Sequence, residues 1–366
     1  MKNEQRYKGI TFAAGRFLFA AVIFAASWGS VFAGGGSGES RRASGGTSLP
    51  KDSSIAVFIP GVMSGSPIYG MLADGVRNAA ADFSEAEGRE IRVNVIEAGY
   101  NQAEWESKLT ALAASGSYGL IVSSNPSLPA IAESVSAKFP QQKFLLLDGE
   151  IEGRPTIYTM RYNQREQAYI AGHIAALVSL DLAAGGRPSM RIGLVAGQEY
   201  PVMDNIIRPG YEEGAKAVDQ GFTVDFRVVG NWFDAGKGAE LALDMIRGGA
   251  QVILCVAGGA NEGVVKAASE TGKKAVWFDT NGYNIMPGTV VGSSVLYQEK
   301  AAYEKTMLFL KGALPFGKAE VVGIADGYVD FIEDDPLYTT AVSEAARAKQ
   351  AALLARIRSG EFRLED

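Results

Sequence analysis

The sequence predicts an α/β protein with two doubly wound lobes, each a parallel sheet covered by helices on both faces. Short runs that are apolar at nearly every position alternate with amphipathic stretches of helical length, the pattern of parallel strands buried on both faces. The alternation then restarts once, giving two sets of similar length.

From Ser54, the runs IAVFIP, IRVNVIE, GLIVSS, KFLLLD and TIYTMR read as strands, rich in branched and aromatic side chains. YGMLADGVRNAAADFSEA and LPAIAESVSAKF lie between them with apolar residues at helical spacing. The second set is RIGLVAG, FTVDFRVV, QVILCVAG and KAVWFD, with helices starting near Asp204, Asp234 and Asn261, residue types that cap helix N-termini. Beyond it, TVVGSSVL, a helix from Glu299 to Lys311 and the strand pair VVGIADGYVDF are assigned back to the first lobe. Lobe 1 is therefore expected over 54–161 plus 284–335, and lobe 2 over 162–283, with the repeated crossings forming a hinge and a cleft between the lobes. The last stretch, 336–366, contains TTAVSEAARAKQAALLARIRSG, an amphipathic helix of mixed charge expected to pack on a lobe surface. A length of 366 residues favours two domains and leaves one large α/β domain as the alternative.

The N-terminus has its own pattern. Lys2, Arg6, Lys8 and Arg16 precede the apolar run FLFAAVIFAA, and small residues stand at Val31-x-Ala33. Residues 1–33 thus read as a secretory signal peptide cleaved after Ala33, which implies export to the periplasm. The alternative is an uncleaved apolar segment that tethers the protein to the membrane. Residues 34–53 include GGGSGESRRASGGTS, a Gly/Ser-rich flexible tether.

Composition excludes several chemistries. Lys plus Arg number 35 against 41 Asp plus Glu, a net charge of −6, which argues against nucleic acid as a partner, since phosphate neutralisation needs a basic face. Cys255 is the one cysteine and reads as a small hydrophobe in a buried strand. His173 is the one histidine and lies inside the helical stretch AYIAGHIAALVSL. A zinc site would have to be built almost wholly from carboxylates, and a Ser-His-Asp triad would need His173, so neither is expected.

Strand ends mark the candidate site, because ligands of open α/β sheets bind beyond the carboxyl ends of the strands. VVGNWFDAGKG ends a strand, presents Trp232 and Phe233 side by side, and starts a helix. GGANEG (258–263) opens another helix but fits neither dinucleotide nor P-loop spacing; its free amides near Gly259 would favour a polar or anionic ligand atom.

RIGLVAGQEYPVMDNIIRPGYEEGAKAVD, VVGNWFDAGKGAELALDMIRGGAQVILCVAGGANEGVVKAA and VWFDTNGYNIMPGTVVGSSV resemble the second lobe of the basic membrane protein family of substrate-binding proteins. KFLLLDGEI and NQREQAYIAGHIAAL resemble its first lobe and crossover. The family includes purine nucleoside receptors of bacterial ABC importers. The resemblance implies a bilobed type I periplasmic binding protein, not an enzyme, that closes around one ligand as a monomer and delivers it to an ABC permease and its ATPase, with no cofactor.

The resemblance also assigns roles. The family's stacking aromatic falls on Trp232, its hydroxyl-binding acid on Asp279, and a ring N–H acceptor on Asp148. Departures matter as much. GSPIY (65–69) replaces an Asp-Lys-Ser-Phe-Asn motif, leaving Ile68 for the stacking Phe and Tyr69 one place later, and Leu296 replaces a lysine. Losing an acid and a lysine while gaining Trp for Phe describes a slot for a larger, flat, uncharged ring. Riboflavin fits that change, its ring between Tyr69 and Trp232 and its polyol toward Asp279 and Gly259, as in the riboflavin-binding branch of the family. Tyr100, Asn125 and Tyr200 follow other strands and are further candidate lining residues. Most family members carry a lipoprotein cysteine where this chain has Ala33-Gly34. The alternatives are a purine nucleoside receptor, an exported nucleoside- or flavin-processing enzyme using Asp148 or Glu166 as acid/base, and a periplasmic sensor domain.

Overall fold

The computed structural model describes residues 54–364 apart from 65, 184, 185 and 187. The expected signal peptide (1–33) and tether (34–53) lie outside the described residues. Two six-stranded sheets form the frame. In chain order, β1 (Ser54–Ile59), β2 (Arg92–Glu97), β3 (Leu120–Ser124), β4 (Lys143–Leu147) and β5 (Ile157–Tyr162) build the first sheet. The second takes β6 (Arg191–Ala196), β7 (Thr223–Val228), β8 (Val252–Val256), β9 (Lys274–Asp279) and β10 (Val290–Leu296). The chain then gives β11 (Ala319–Val322) to the first sheet and β12 (Val329–Phe331) to the second.

The sheet orders, β11-β5-β4-β3-β1-β2 and β12-β10-β9-β8-β6-β7, are the same pattern used twice. β4 and β9 are therefore equivalent, as are β1 and β6. The pairings are parallel except that of β12, which runs antiparallel to β10. Strands β3, β8 and β10 are buried at every residue, the serines of β3 and β10 included, and of the three β8 (VILCV) is apolar throughout. Burial pushes the Cys255 thiol in β8 up, as befits a packing residue.

The helices are α1 (Pro67–Glu87), α2 (Trp105–Ala114), α3 (Leu128–Lys138), α4 (Gln164–Asp181), α5 (Arg208–Val218), α6 (Ala235–Arg247), α7 (Asn261–Glu270), α8 (Gln298–Leu310), α9 (Pro336–Ala341) and α10 (Glu344–Arg358). Asn163 and Asp234 cap α4 and α6, accepting from the N–H groups of Glu166 and Lys237 at 2.9 Å, each cap contributing about 1 kcal/mol. Among the described residues no helix is long and apolar enough to cross a membrane.

The division expected over 284–335 is corrected at both strands. β10 lies beside β9 in the second sheet, and β12 joins it there. The link 280–289 carries no helix, so the strand–helix rhythm stops while the sheet continues. The strand pair VVGIADGYVDF is split between the sheets by a turn in which Gly323 N–H donates to Asp326 Oδ2 at 2.9 Å. Only α8 and β11 return to the first sheet's side, α8 lying along α1 through Asn78–Glu299 (3.0 Å) and Tyr303–Asp82 (2.9 Å) hydrogen bonds.

The chain thus passes between the sheets near Asn163, near Tyr297 and through 323–328. These passages are tied together: Asn163 N–H donates to the Val322 carbonyl (2.8 Å), and Tyr297 N–H to the Tyr328 carbonyl (2.9 Å). The C-terminal segment forms two helices rather than one. Gln350 of α10, fully buried, donates to the Ile170 carbonyl (3.0 Å) and lies 2.6 Å from His173 Nδ1, fastening α10 to α4.

Candidate ligand site between the sheets

Equivalent strand ends supply the acids. Asp148 follows β4 and Asp279 ends β9, with φ of 56° and 75°, the two non-glycine residues with left-handed backbone among the described residues. Such backbone costs roughly 1–2 kcal/mol for most side chains and is adopted most readily by Asp and Asn. Its recurrence at two equivalent positions is backbone strain of the kind that collects at functional sites.

Equivalent strand ends also seat the aromatics. After β7, Gly230 turns at φ 90°, and Asn231 Oδ1 accepts from the N–H groups of Phe233 (3.0 Å) and Asp234 (2.8 Å). This tight loop lays the Trp232 indole flat on the backbone after β6, where a Cβ on Gly197 would fall 2.4 Å from the ring. The indole remains 39% exposed. Tyr200 stands beside it at 6.1 Å between centroids, tilted by 52°. At the equivalent place in the first sheet, the Tyr69 ring lies against Gly61, 3.1 Å from where a Cβ would be, and its hydroxyl donates to the Pro60 carbonyl at 3.1 Å. Desolvation raises the Tyr69 phenol to about 12, Asn125 partly offsetting it and Asp148 adding to it. Tyr100 and Phe233 come from opposite sheets and meet at 6.3 Å. They are 67% and 68% exposed, which puts the contact at the rim.

The two carboxyls share one electrostatic space. Each raises the phenols of both Tyr162 and Tyr200, after desolvation. Desolvation, reinforced by the field of Asp279 and opposed by Arg161, raises Asp148 to about 8. Asp279 rises less, to about 6, because Gln167 Nε2 donates to its Oδ1 at 3.0 Å. Both acids keep partial solvent access, as they would at the floor of a crevice.

Several expectations meet a different structure. The Gly259 N–H is not free for a ligand: it donates to the Trp232 carbonyl at 2.8 Å, so Gly259 braces the aromatic loop. Glu166 is no acid/base over a cleft; it is buried, and its Oε2 accepts from Ile324 N–H at 2.9 Å, where two passages between the sheets meet. His173 is engaged by Gln350, and burial lowers its pKa. Among the described residues no group of His, Cys, Asp or Glu is arranged to hold a metal ion.

Trp232, Tyr200, Asp279, Asp148, Tyr69 and Asn125 are brought together through these contacts, with Gly259 behind Trp232 and Tyr100 at the rim through Phe233. Two residues of this neighbourhood escaped sequence reasoning. Gln167 is fully buried, bridging Asp279 and the Ser294 carbonyl. Tyr162 is also buried and donates to Gln298 Oε1 at 2.6 Å. The first turn of α4 reads QREQ, polar at every position, so nothing in the sequence singles out Gln167.

The family described as ABC transporter substrate-binding protein PnrA-like matches residues 52–361. Among curated relatives, the CD4+ T-cell-stimulating antigen of Listeria monocytogenes is 28% identical over 49% of this chain and 50% of its own length. The ABC transporter nucleoside-binding protein BmpA of Lactococcus lactis is 27% identical over 46% of this chain and 43% of its own. The chain spans about half the length of these curated relatives. An ABC transporter system solute-binding protein of Aeropyrum pernix K1 superposes with a TM-score of 0.74 at 22% identity, over 85% of this chain and 93% of that one. The two mostly parallel sheets are those of the type I periplasmic binding proteins.

Proposed function

This chain belongs to the PnrA-like family of ABC transporter substrate-binding proteins, and on that premise we propose that it binds riboflavin between its sheets and delivers it to a permease and its ATPase outside the cytoplasm. The observation that carries the reading is the seat of Trp232. A partly exposed indole, backed by the Gly197 backbone and flanked by Tyr200, offers a flat face for stacking. Stacking on such a face is worth about 1–3 kcal/mol per base-sized ring. Tyr69 stands at the equivalent strand end of the other sheet as the second plate. Asp279 is the acceptor for polyol hydroxyls. The N-terminal basic and apolar pattern supports export.

The test is a visible absorption scan of protein purified without added ligand, followed by fluorescence-quenching titration with riboflavin and competition by inosine. A flavin spectrum released intact on denaturation supports the reading. A colourless protein that leaves riboflavin fluorescence unquenched sinks it. Trp232→Ala should weaken riboflavin binding by about 1–3 kcal/mol, roughly 5- to 150-fold, with the thermal midpoint little changed.

A purine nucleoside is the second reading, favoured by the relative in Lactococcus lactis that carries nucleoside binding in its name and by an acid suited to ribose hydroxyls. It predicts inosine binding that riboflavin does not displace. An enzyme would convert the ligand on incubation; a binding protein returns it unchanged.

A further inference from the structure

Gln167 makes the two equivalent aspartates unequal. Its Nε2 lies 3.0 Å from Asp279 Oδ1 and 3.2 Å from the Ser294 carbonyl oxygen. A backbone carbonyl can only accept, so the glutamine atom between them is the NH2 group, whose second hydrogen is directed at Asp279. That oxygen of Asp279 is thereby held as an acceptor. No equivalent donor serves Asp148: its carboxyl makes no hydrogen bond among the described residues. The groups facing it are Tyr69 from α1, Arg161 and Tyr162 from β5, Tyr200 from the loop after β6, and Asp279 from β9. Arg161 is the cation among them, and its Nε is held by Glu150 Oε2 at 2.8 Å. Two carboxyls in one desolvated space do not both ionise readily, and the proton stays on the one without a donor.

We propose that the two aspartates read opposite halves of the ligand, Asp279 as an ionised acceptor clamped by Gln167 and Asp148 as a protonated donor. Asp279 therefore takes a hydroxyl or N–H, and Asp148 takes a carbonyl oxygen or an unprotonated ring nitrogen. This reverses the acceptor role expected of Asp148. Gln167 is a positioning residue that acts through Asp279. The raised Asp148 and less raised Asp279 agree with this division. For riboflavin, ring carbonyl oxygens or bare ring nitrogens fall to Asp148 and polyol hydroxyls to Asp279. The inference rests on the proposed function for the choice of that probe.

The experiment is a pH titration of protein labelled with 13C at the aspartate carboxyls, with and without riboflavin. Asp148→Asn and Asp279→Asn assign the two resonances. Asn adopts left-handed backbone as readily as Asp, so both variants suit these positions. The resonance lost in Asp148→Asn should have the higher midpoint, above neutrality, and Gln167→Leu should raise the midpoint of Asp279. In binding, Asp148→Asn should stay within about threefold of the parent at pH 7, whereas Asp279→Asn should lose more than about tenfold, an ionic hydrogen bond being the stronger. A higher midpoint for Asp279, two midpoints below about pH 5, or equal losses in the two variants would overturn the proposal. If neither riboflavin nor inosine binds the parent, the function reading fails, and the carboxyl titration still decides where the proton sits.

Discussion

Gly197 decides where Trp232 can lie. An added methyl would sit 2.4–2.8 Å from three atoms of the indole, well inside van der Waals contact, so Gly197→Ala must lift the ring from its seat. Overpacking of this kind costs about 1–3 kcal/mol. Because the indole is partly exposed, the cost should appear in binding, as a roughly tenfold weaker riboflavin affinity with a nearly unchanged thermal midpoint. Quenching titration and thermal unfolding of the same sample check both halves, and an unchanged affinity would remove the Trp232 face from the ligand. That Asp148 and Asp279 stand at strand ends and Trp232 in the loop after β7 was legible in the sequence, because strand ends show as the close of an apolar run, and strand ends are where open α/β sheets bind ligands. Gly259 was misread because its amide partner, the Trp232 carbonyl, comes from a different loop. Gln167 stayed hidden for a like reason: its role depends on β9 and β10, which its helix reaches only in three dimensions.

At the level of elements, the strands were the most legible part. The nine runs read as strands before TVVGSSVL match β1 to β9: inner strands such as β4 and β8 are covered on both faces and mostly apolar, whereas the edge strands β2 and β7 mix polar and apolar residues and are legible from their branched and aromatic side chains. Membership in a sheet was not legible for β10 and β12, since a link without a helix looks like a domain boundary and a three-residue antiparallel edge has almost no pattern. Helix partners were equally invisible, although glycines record them. A Cβ on Gly172 of α4 would fall 2.0 Å from the Tyr211 carbonyl oxygen, and one on Gly214 of α5 would fall 1.9 Å from that of Tyr169. The two helices touch backbone to backbone, with no side chain able to yield. Gly214→Ala should therefore destabilise the protein by about 1–3 kcal/mol or more, read as a lower denaturation midpoint in urea. Its effect on ligand affinity in the folded protein should be small, since the contact lies behind the site. A midpoint equal to the parent's would mean that α4 and α5 can part without cost.

The whole molecule carries the consequence of placing two acids in one crevice. Three passages between the sheets are bonded to one another at Asn163–Val322 and Tyr297–Tyr328, and Asp148 and Asp279 feel each other's charge across the sheets they join. An unfolded aspartate releases its proton near pH 4, whereas the folded protein keeps one on Asp148 up to about 8 and on Asp279 up to about 6. Between those limits the native state binds more protons than the unfolded chain, so stability falls as pH rises. Asp279 contributes to the fall only from about 4 to 6, and Asp148 continues it to about 8. Each pH unit in that window removes at most about 1.4 kcal/mol per group. Asp148→Asn, neutral at every pH and at ease with left-handed backbone, should match the parent near pH 4 and exceed its stability by a few kcal/mol at pH 8. Denaturant unfolding of parent and variant at half-unit steps from pH 4 to 9 measures the difference directly. A parent curve parallel to that of Asp148→Asn would mean that Asp148 ionises in the folded protein as it does in water, and the crevice would then hold two ordinary anions. A divergence beginning near pH 4 and flattening near 8 would locate the retained proton on Asp148. A ligand that donates a hydrogen bond to Asp148 would then bind more tightly above that pH, and one that accepts from it would bind more tightly below.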